Sequence, residues 1–249
     1  MTIVLTAFKE KLLRRGLYII CVIAILILVI FSSGAGTISI NGEPVTGYKT
    51  LAPILLSVVN TFACAFAVIT SLGTIPAEYE RKTSHLVWIR NVPQFRYHGG
   101  LTLANILSGI CCEGILFVAM AVFAALNGGA VRRLIPAFAA VGVNVIALCV
   151  ITSALSLVLP KLTAGAVSAV YAAAGVFHGL LLTLKDVLGG FGGEMVKYAL
   201  KLVPNIDEVQ SQAGNLLTGK PVDLHSIFAV LLVTYAFALL ILFYKKREV

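Results

Sequence analysis

Apolar residues run along this chain in long stretches, and the charged positions gather between the stretches instead of within them. Six stretches are long enough to cross a hydrocarbon layer about 30 Å thick as helices. They are Leu17–Ser33, Leu51–Ile75, Gly100–Leu126, Ile135–Leu159, Thr163–Leu184 and Ser226–Tyr244. Ahead of the first, residues 2–15 place Ile3, Val4, Ala7, Phe8 and Leu12 largely on one side. Lys9, Lys11, Arg14 and Arg15 mark the polar side and its boundary. That pattern predicts an interfacial helix over residues 1–16, lying on the membrane before the first span. A basic stretch before an apolar run ending Phe31-Ser-Ser-Gly-Ala35 also has the outline of a signal peptide. The later spans make its removal unnecessary for membrane targeting.

Between the fifth and sixth spans the pattern changes again, over residues 185–225. Gly189-Gly-Phe-Gly-Gly193 breaks the chain, and in the segment Glu194–Val203 the residues Glu194, Lys197 and Lys201 share one helical face. Pro204 stops that helix, and Asn205–Leu217 offers a second, weaker amphipathic turn or helix. Two readings stand side by side: a pair of helices lying at the outer interface, or a lid that shapes an external exit.

Composition narrows the class. Of 249 residues, 59% are apolar and 12% charged, with mean hydropathy +0.98. A soluble domain carries about 25% charged residues, so too little polar surface is left to cover a globule. The expected fold is an all-α integral membrane protein, one transmembrane domain over residues 1–249. The net charge of +8 flanks the apolar runs and forms no single stripe, which argues for topology determinants and lipid anchors and against nucleic acid. With the N-terminus inside, the inside segments hold 12 Lys and Arg residues and the outside ones 7. Both termini are therefore expected on the cytoplasmic side, with the pair Arg132-Arg133 standing against the trend. Cys21, Cys64, Cys111, Cys112 and Cys149 all lie in spans, as small apolar side chains. No Cys/His cluster has metal-ligand spacing, so no metal is expected.

The segment over residues 76–98 carries the chemistry. Glu78, Glu80, Arg81 and Lys82 mix both signs, Tyr79, Leu86, Val87 and Trp88 add large anchors, and a helix is predicted around Glu78–Trp88. Asn91-Val-Pro93 turns the chain, and Gly99-Gly100 opens the third span. By itself this reads as a solvated connector with an aromatic belt. The run Ala77-Glu-Tyr-Glu-Arg-Lys-Thr83, the apolar patch, Asn91-Val-Pro93 and basic Arg96 together resemble the ABC-2 type ABC transporter permeases. Lys82, where glycine is commoner, and Gln94, where serine commonly follows the proline, depart from that pattern.

The resemblance covers essentially the whole chain, through its six spans, N-terminal interfacial helix and re-entrant external helices between spans five and six. It implies that the loop is a coupling helix seated in a separate ATPase subunit, with Glu78, Tyr79, Glu80, Arg81, Lys82, Thr83, Leu86, Trp88 and Arg90 as contacts. It implies two permease copies, as a homodimer, and two ATPases in a bacterial plasma membrane. No G-x-x-x-x-G-K-[ST] loop occurs in this chain, so ATP and magnesium belong to the partner and this chain needs no cofactor.

Inside the spans, Asn60, Asn105, Glu113 and Asn144 are candidate substrate-path residues, with Thr61, Ser108 and Ser153 as further inward-facing positions. An intramembrane carboxylate such as Glu113 should face a helix neighbour or a cavity, because lipid exposure costs at least about 2.5 kcal/mol. The small residues of Ala164–Gly175 permit close helix packing, internally or at a dimer seam. The leading expectation is an exporter of an amphipathic or hydrophobic peptide, drug or lipid. A proton-coupled secondary transporter using Glu113 is the alternative. The four histidines form no H-E-x-x-H, so catalysis is not expected.

Overall fold

A computed structural model describes residues 2–13, 16–33, 39–40, 43–44, 48–82, 89 and 91–244. Among these the regular structure is helical, apart from a short antiparallel pairing of β1 (Ser39–Ile40) with β2 (Glu43–Pro44). The helices are α1 (Thr2–Leu13), α2 (Gly16–Ser33), α3 (Tyr48–Leu72), α4 (Thr74–Glu80), α5 (Gln94–Leu126) and α6 (Val131–Val158). They continue as α7 (Lys161–Val176), α8 (His178–Leu188), α9 (Gly190–Lys201), α10 (Ile206–Thr218) and α11 (His225–Phe243).

Among the described residues, four rods are long and apolar enough to cross a membrane: Tyr48–Glu80, Gln94–Leu126, Val131–Val158 and His225–Phe243. The stretch expected as the fifth span, Thr163–Leu184, bends by 80° between α7 and α8. A hydropathy run reports composition and not direction. The corner follows directly after Gly175, where an added Cβ would lie 2.7 Å from the Pro204 carbonyl oxygen and 2.8 Å from Ile206. Backbone bonds reach the corner from both sides, Phe177 N–H donating to Ala173 and Leu181 N–H donating to Phe177. Counted as one broken span, α7 and α8 bring the total to five; α2 is apolar but shorter.

The most buried rod is α6, whose most apolar window is 72% covered, against 17% for α11. Its neighbours are α3, α5, α10 and α11. Leu51, Leu55 and Leu56 of α3, Leu116, Met120 and Phe123 of α5, and Leu134 and Leu148 of α6 form the main core. By contrast α2 packs on α5 along Ile20, Ala24, Ile27 and Phe31 and leaves Val22, Ile25, Leu26, Val29 and Ile30 exposed.

Three local expectations change. The helix after span two ends at Glu80, so it does not run from Glu78 to Trp88; Arg81 and Lys82 form a turn, and Lys82 has φ 54°. The third span starts at Gln94 behind Pro93, and Gly99-Gly100 lie inside it. In the external segment the break is at Gly189, with φ 56°, and Gly190–Gly193 belong to α9.

The weak turn or helix expected from sequence over residues 205–217 is a capped helix with one face packed on the bundle. The Asn205 side chain accepts a hydrogen bond from Glu208 N–H at 3.1 Å, and Gly219 closes the helix at φ 76°. Ile206, Val209, Gln212, Ala213 and Leu217 are buried, against α6, α3, α7 and α8.

Candidate functional site

The charged segment grows from a clamp at the α4/α5 end of the molecule. Ile3, Ala7 and Lys11 recur every fourth residue on α1, so one stripe carries all three. Ile3 and Ala7 pack on the cluster around Tyr97, Leu101 and Val150, and Ile3 lies against Gly100 of α5. Lys11 therefore points into the bundle, not to the polar side expected for it. Its ammonium donates to the Thr70 carbonyl at 2.6 Å and to Asn105 Oδ1. The apolar stem covers core while the charged head finds acceptors at a helix end.

Asn105 is the hub of that clamp. Its Oδ1 also accepts from the Thr74 hydroxyl at 2.8 Å, and its Nδ2 donates to Ser153 Oγ at 2.8 Å. Ser153 in turn donates to the Cys149 carbonyl at 2.7 Å. One side chain thus joins α1, α4, α5 and α6, and α3 joins through Thr70. A cavity of about 220 Å³ beside it is lined by Glu10, Lys11, Thr74, Glu78 and Arg81.

Below the charged turn, α4 and α5 are tied directly. Tyr97 OH donates to Glu78, and Tyr79 OH pairs with His98 Nε2 at 2.7 Å. Arg81 lies 3.5 Å from Glu10 of α1, with both side chains about half exposed, so that pair contributes at most about 1 kcal/mol. Of the residues expected to couple, Glu78 and Tyr79 thus bond within the chain, while Glu80, Arg81 and Lys82 are exposed. Thr83, Leu86, Trp88 and Arg90 lie outside the described residues. Lys82 (φ 54°) and Asn91 (φ 53°) bracket the segment with left-handed backbone, which asparagine tolerates and lysine adopts at a cost of roughly 1–2 kcal/mol.

The four candidate path residues are buried, in three different settings. Asn105 belongs to the clamp. Asn60 and Asn144 face α10: Asn60 Nδ2 donates to Gln210 Oε1 at 2.9 Å, and Asn144 Nδ2 donates to the Ile206 carbonyl at 3.4 Å. Gln210 also donates to Ser57, so α10 is held to α3 by a short polar chain. A cavity of about 530 Å³ opens beside it, lined by Lys49, Ser57, Asp207, Gln210, Asn215 and Lys220. Glu113 sits apart, against Gly142 of α6. Ser108 and Ser153 are buried as expected, but Thr61 is exposed and donates to the Ser57 carbonyl of its own helix at 2.9 Å. One helical step from Asn60 turns it outward by about 100°.

The small residues of α7 make internal contacts at Ala164, Ser168 and Gly175. Arg133, out of place by the charge rule, lies against Gly219 at the α10 C-terminus, where an added Cβ would be 2.9 Å from Nη1. A helix C-terminus favours a cation. Gln210, Tyr97 and His98 are among the interacting residues that the sequence had not marked as such, and Lys11 had been placed on the polar side of its helix and its boundary. For Lys11 the every-fourth-residue stripe was the available signal. Among the described residues no cluster of three or more metal-ligating side chains occurs. Compared with known proteins, the chain matches no family model and no curated protein.

Proposed function

We propose that this chain is the transmembrane subunit of an ATP-driven exporter of the ABC-2 type, moving an amphipathic or hydrophobic peptide, drug or lipid out of the cell. In this reading it sits in a bacterial plasma membrane with both termini inside, as a homodimer with two copies of a separate ATPase that binds ATP and magnesium. The coupling element is the charged segment between α4 and α5.

One observation carries the reading. The segment stands on two helices bonded to each other through Glu78–Tyr97 and Tyr79–His98, and α1 is fastened to the same base by Lys11. A displacement applied at Glu80–Lys82 is thereby delivered to α4 and α5 together. Coupling needs such contiguous packed and hydrogen-bonded elements.

Replacing Glu80, Arg81 and Trp88 together with alanine is expected to abolish co-purification with the cognate ATPase while the chain still inserts in the membrane. Undiminished co-purification would remove the coupling assignment. A second reading, a proton-coupled carrier, draws on the buried Glu113 carboxyl, whose Oε1 has no hydrogen-bond partner among the described residues. Transport by liposomes holding the chain without any ATPase, driven by a proton gradient, would favour that reading over the first.

A further inference from the structure

The groove between α5 and α6 combines three features that packing alone does not call for. It encloses about 440 Å³ and is lined by Ile110, Glu113, Gly114, Phe117, Phe138 and Gly142, among others. That is within the range of about 300–1,000 Å³ typical of small-molecule sites. Its walls are apolar apart from one group, the Glu113 carboxyl. Glu113 is 6% exposed, and its Oε1 is fully buried with no partner among the described residues. The third feature is the backbone at its edges. An added Cβ at Gly142 would stand 3.2 Å from Glu113 Oε2, so glycine there lets α6 approach the carboxyl. At Gly114 an added Cβ would meet nothing within 4 Å, because that edge of the groove is open.

We infer that this groove is a lateral binding site for a lipophilic amine, an amphiphile with one cationic nitrogen and an apolar body. The apolar walls and the Phe117–Phe138 pair, with ring centroids 4.7 Å apart and edge to face, suit the body. An ionised carboxylate left alone at mid-span costs at least about 2.5 kcal/mol, and a bound ammonium removes that cost by supplying both counter-charge and N–H donor. An anionic amphiphile meets a like charge. A phospholipid headgroup belongs at the bilayer surface, whereas Glu113 lies on the order of 20 Å along α5 from Leu126 and 28 Å from Gln94, at about 1.5 Å per residue. Entry is sideways, past Ile110 and Ile135, which are 43% and 62% exposed. As a binding site the groove is independent of any ATPase; as the place where cargo is held, it rests on the transport reading above.

The test uses the purified full chain in liposomes without ATPase, so its failure does not bear on ATPase coupling. Dicyclohexylcarbodiimide partitions into bilayers and adds to carboxyl groups held in apolar surroundings, and the adduct is located by peptide mass spectrometry. Glu113 is expected to be labelled. N,N-dimethyldecylamine, a tertiary amine that cannot be acylated to a stable amide, is expected to suppress labelling saturably. At ten times its half-protecting concentration the suppression is about tenfold. Decanol at equal membrane concentration is expected to protect far less. Gly114→Leu, which fills the open edge without touching the carboxyl, is expected to weaken protection by the amine. Absence of labelling, equal protection by decanol, or amine protection unchanged in Gly114→Leu would each overturn the assignment.

Discussion

At the scale of single residues, several buried polar groups of this molecule hold helices together. Asn105 shows the logic most fully, since its one amide engages Lys11, Thr74 and Ser153. Asn105→Leu keeps the volume and removes every bond. The Lys11 ammonium would then lose one of its two acceptors named here, and the Ser153 hydroxyl would lose a donor. A buried group deprived of its partner costs about 1–3 kcal/mol. Thermal unfolding of the purified chain should register a loss of that order, whereas Thr61→Val, on an exposed site bonded only to its own helix, should register little. Nothing in composition separates Asn60 from Thr61 or marks Lys11 as inward. Periodicity does separate them once a burial direction is known, and that direction comes from the neighbouring helices.

Among elements, α10 is the least expected and the most consequential. Its sequence is polar, with Asp207, Glu208, Gln210, Ser211, Gln212 and Asn215 in 13 residues, yet one face of it is buried against α6 and α3. A weak amphipathic turn or helix over Asn205–Leu217 was legible in the chain, and the structure adds its caps at Asn205 and Gly219. Insertion was not, because an amphipathic helix is equally suited to a membrane surface or a protein groove. The groove exists because α7 turns away at Phe177 and because Gly175 admits the Pro204 carbonyl and the Ile206 side chain. Gly175→Val places a branched side chain where 2.7 Å separates an added Cβ from the Pro204 oxygen. Overpacking of this kind costs typically about 1–3 kcal/mol. The expected result is a lower unfolding temperature together with faster cysteine labelling at a reporter placed in Val209→Cys, which is buried in the parent. Unchanged labelling would mean that α10 is not held by this contact. The predicted coupling helix is the converse case. Tyr79 read as a large anchor by residue type and Glu78 as a contact implied by the resemblance; both bond to α5 and form the base from which the exposed Glu80–Lys82 turn projects.

For the whole molecule, the orientation proposed here makes a direct prediction about accessibility. A membrane-impermeant maleimide should label Lys220→Cys on intact cells, and Lys82→Cys only after permeabilisation; the reverse pattern would invert the topology. Length, low charge content and the spacing of apolar runs determined by themselves that the chain is helical and rich in segments of membrane-spanning length, because a bilayer leaves helices and closed barrels as the only ways to satisfy a spanning backbone. The four rods among the described residues agree with that constraint. Tertiary structure decided what composition does not encode: that α7 and α8 form a corner, that α10 buries one face against α6 and α3, and that Asn60, Asn105, Glu113 and Asn144 divide among three settings. Each of those outcomes depends on which side of a helix meets which neighbour. In a chain that is apolar on nearly every side, hydrophobicity does not specify that choice. Close contacts at glycine and a small number of buried hydrogen bonds do.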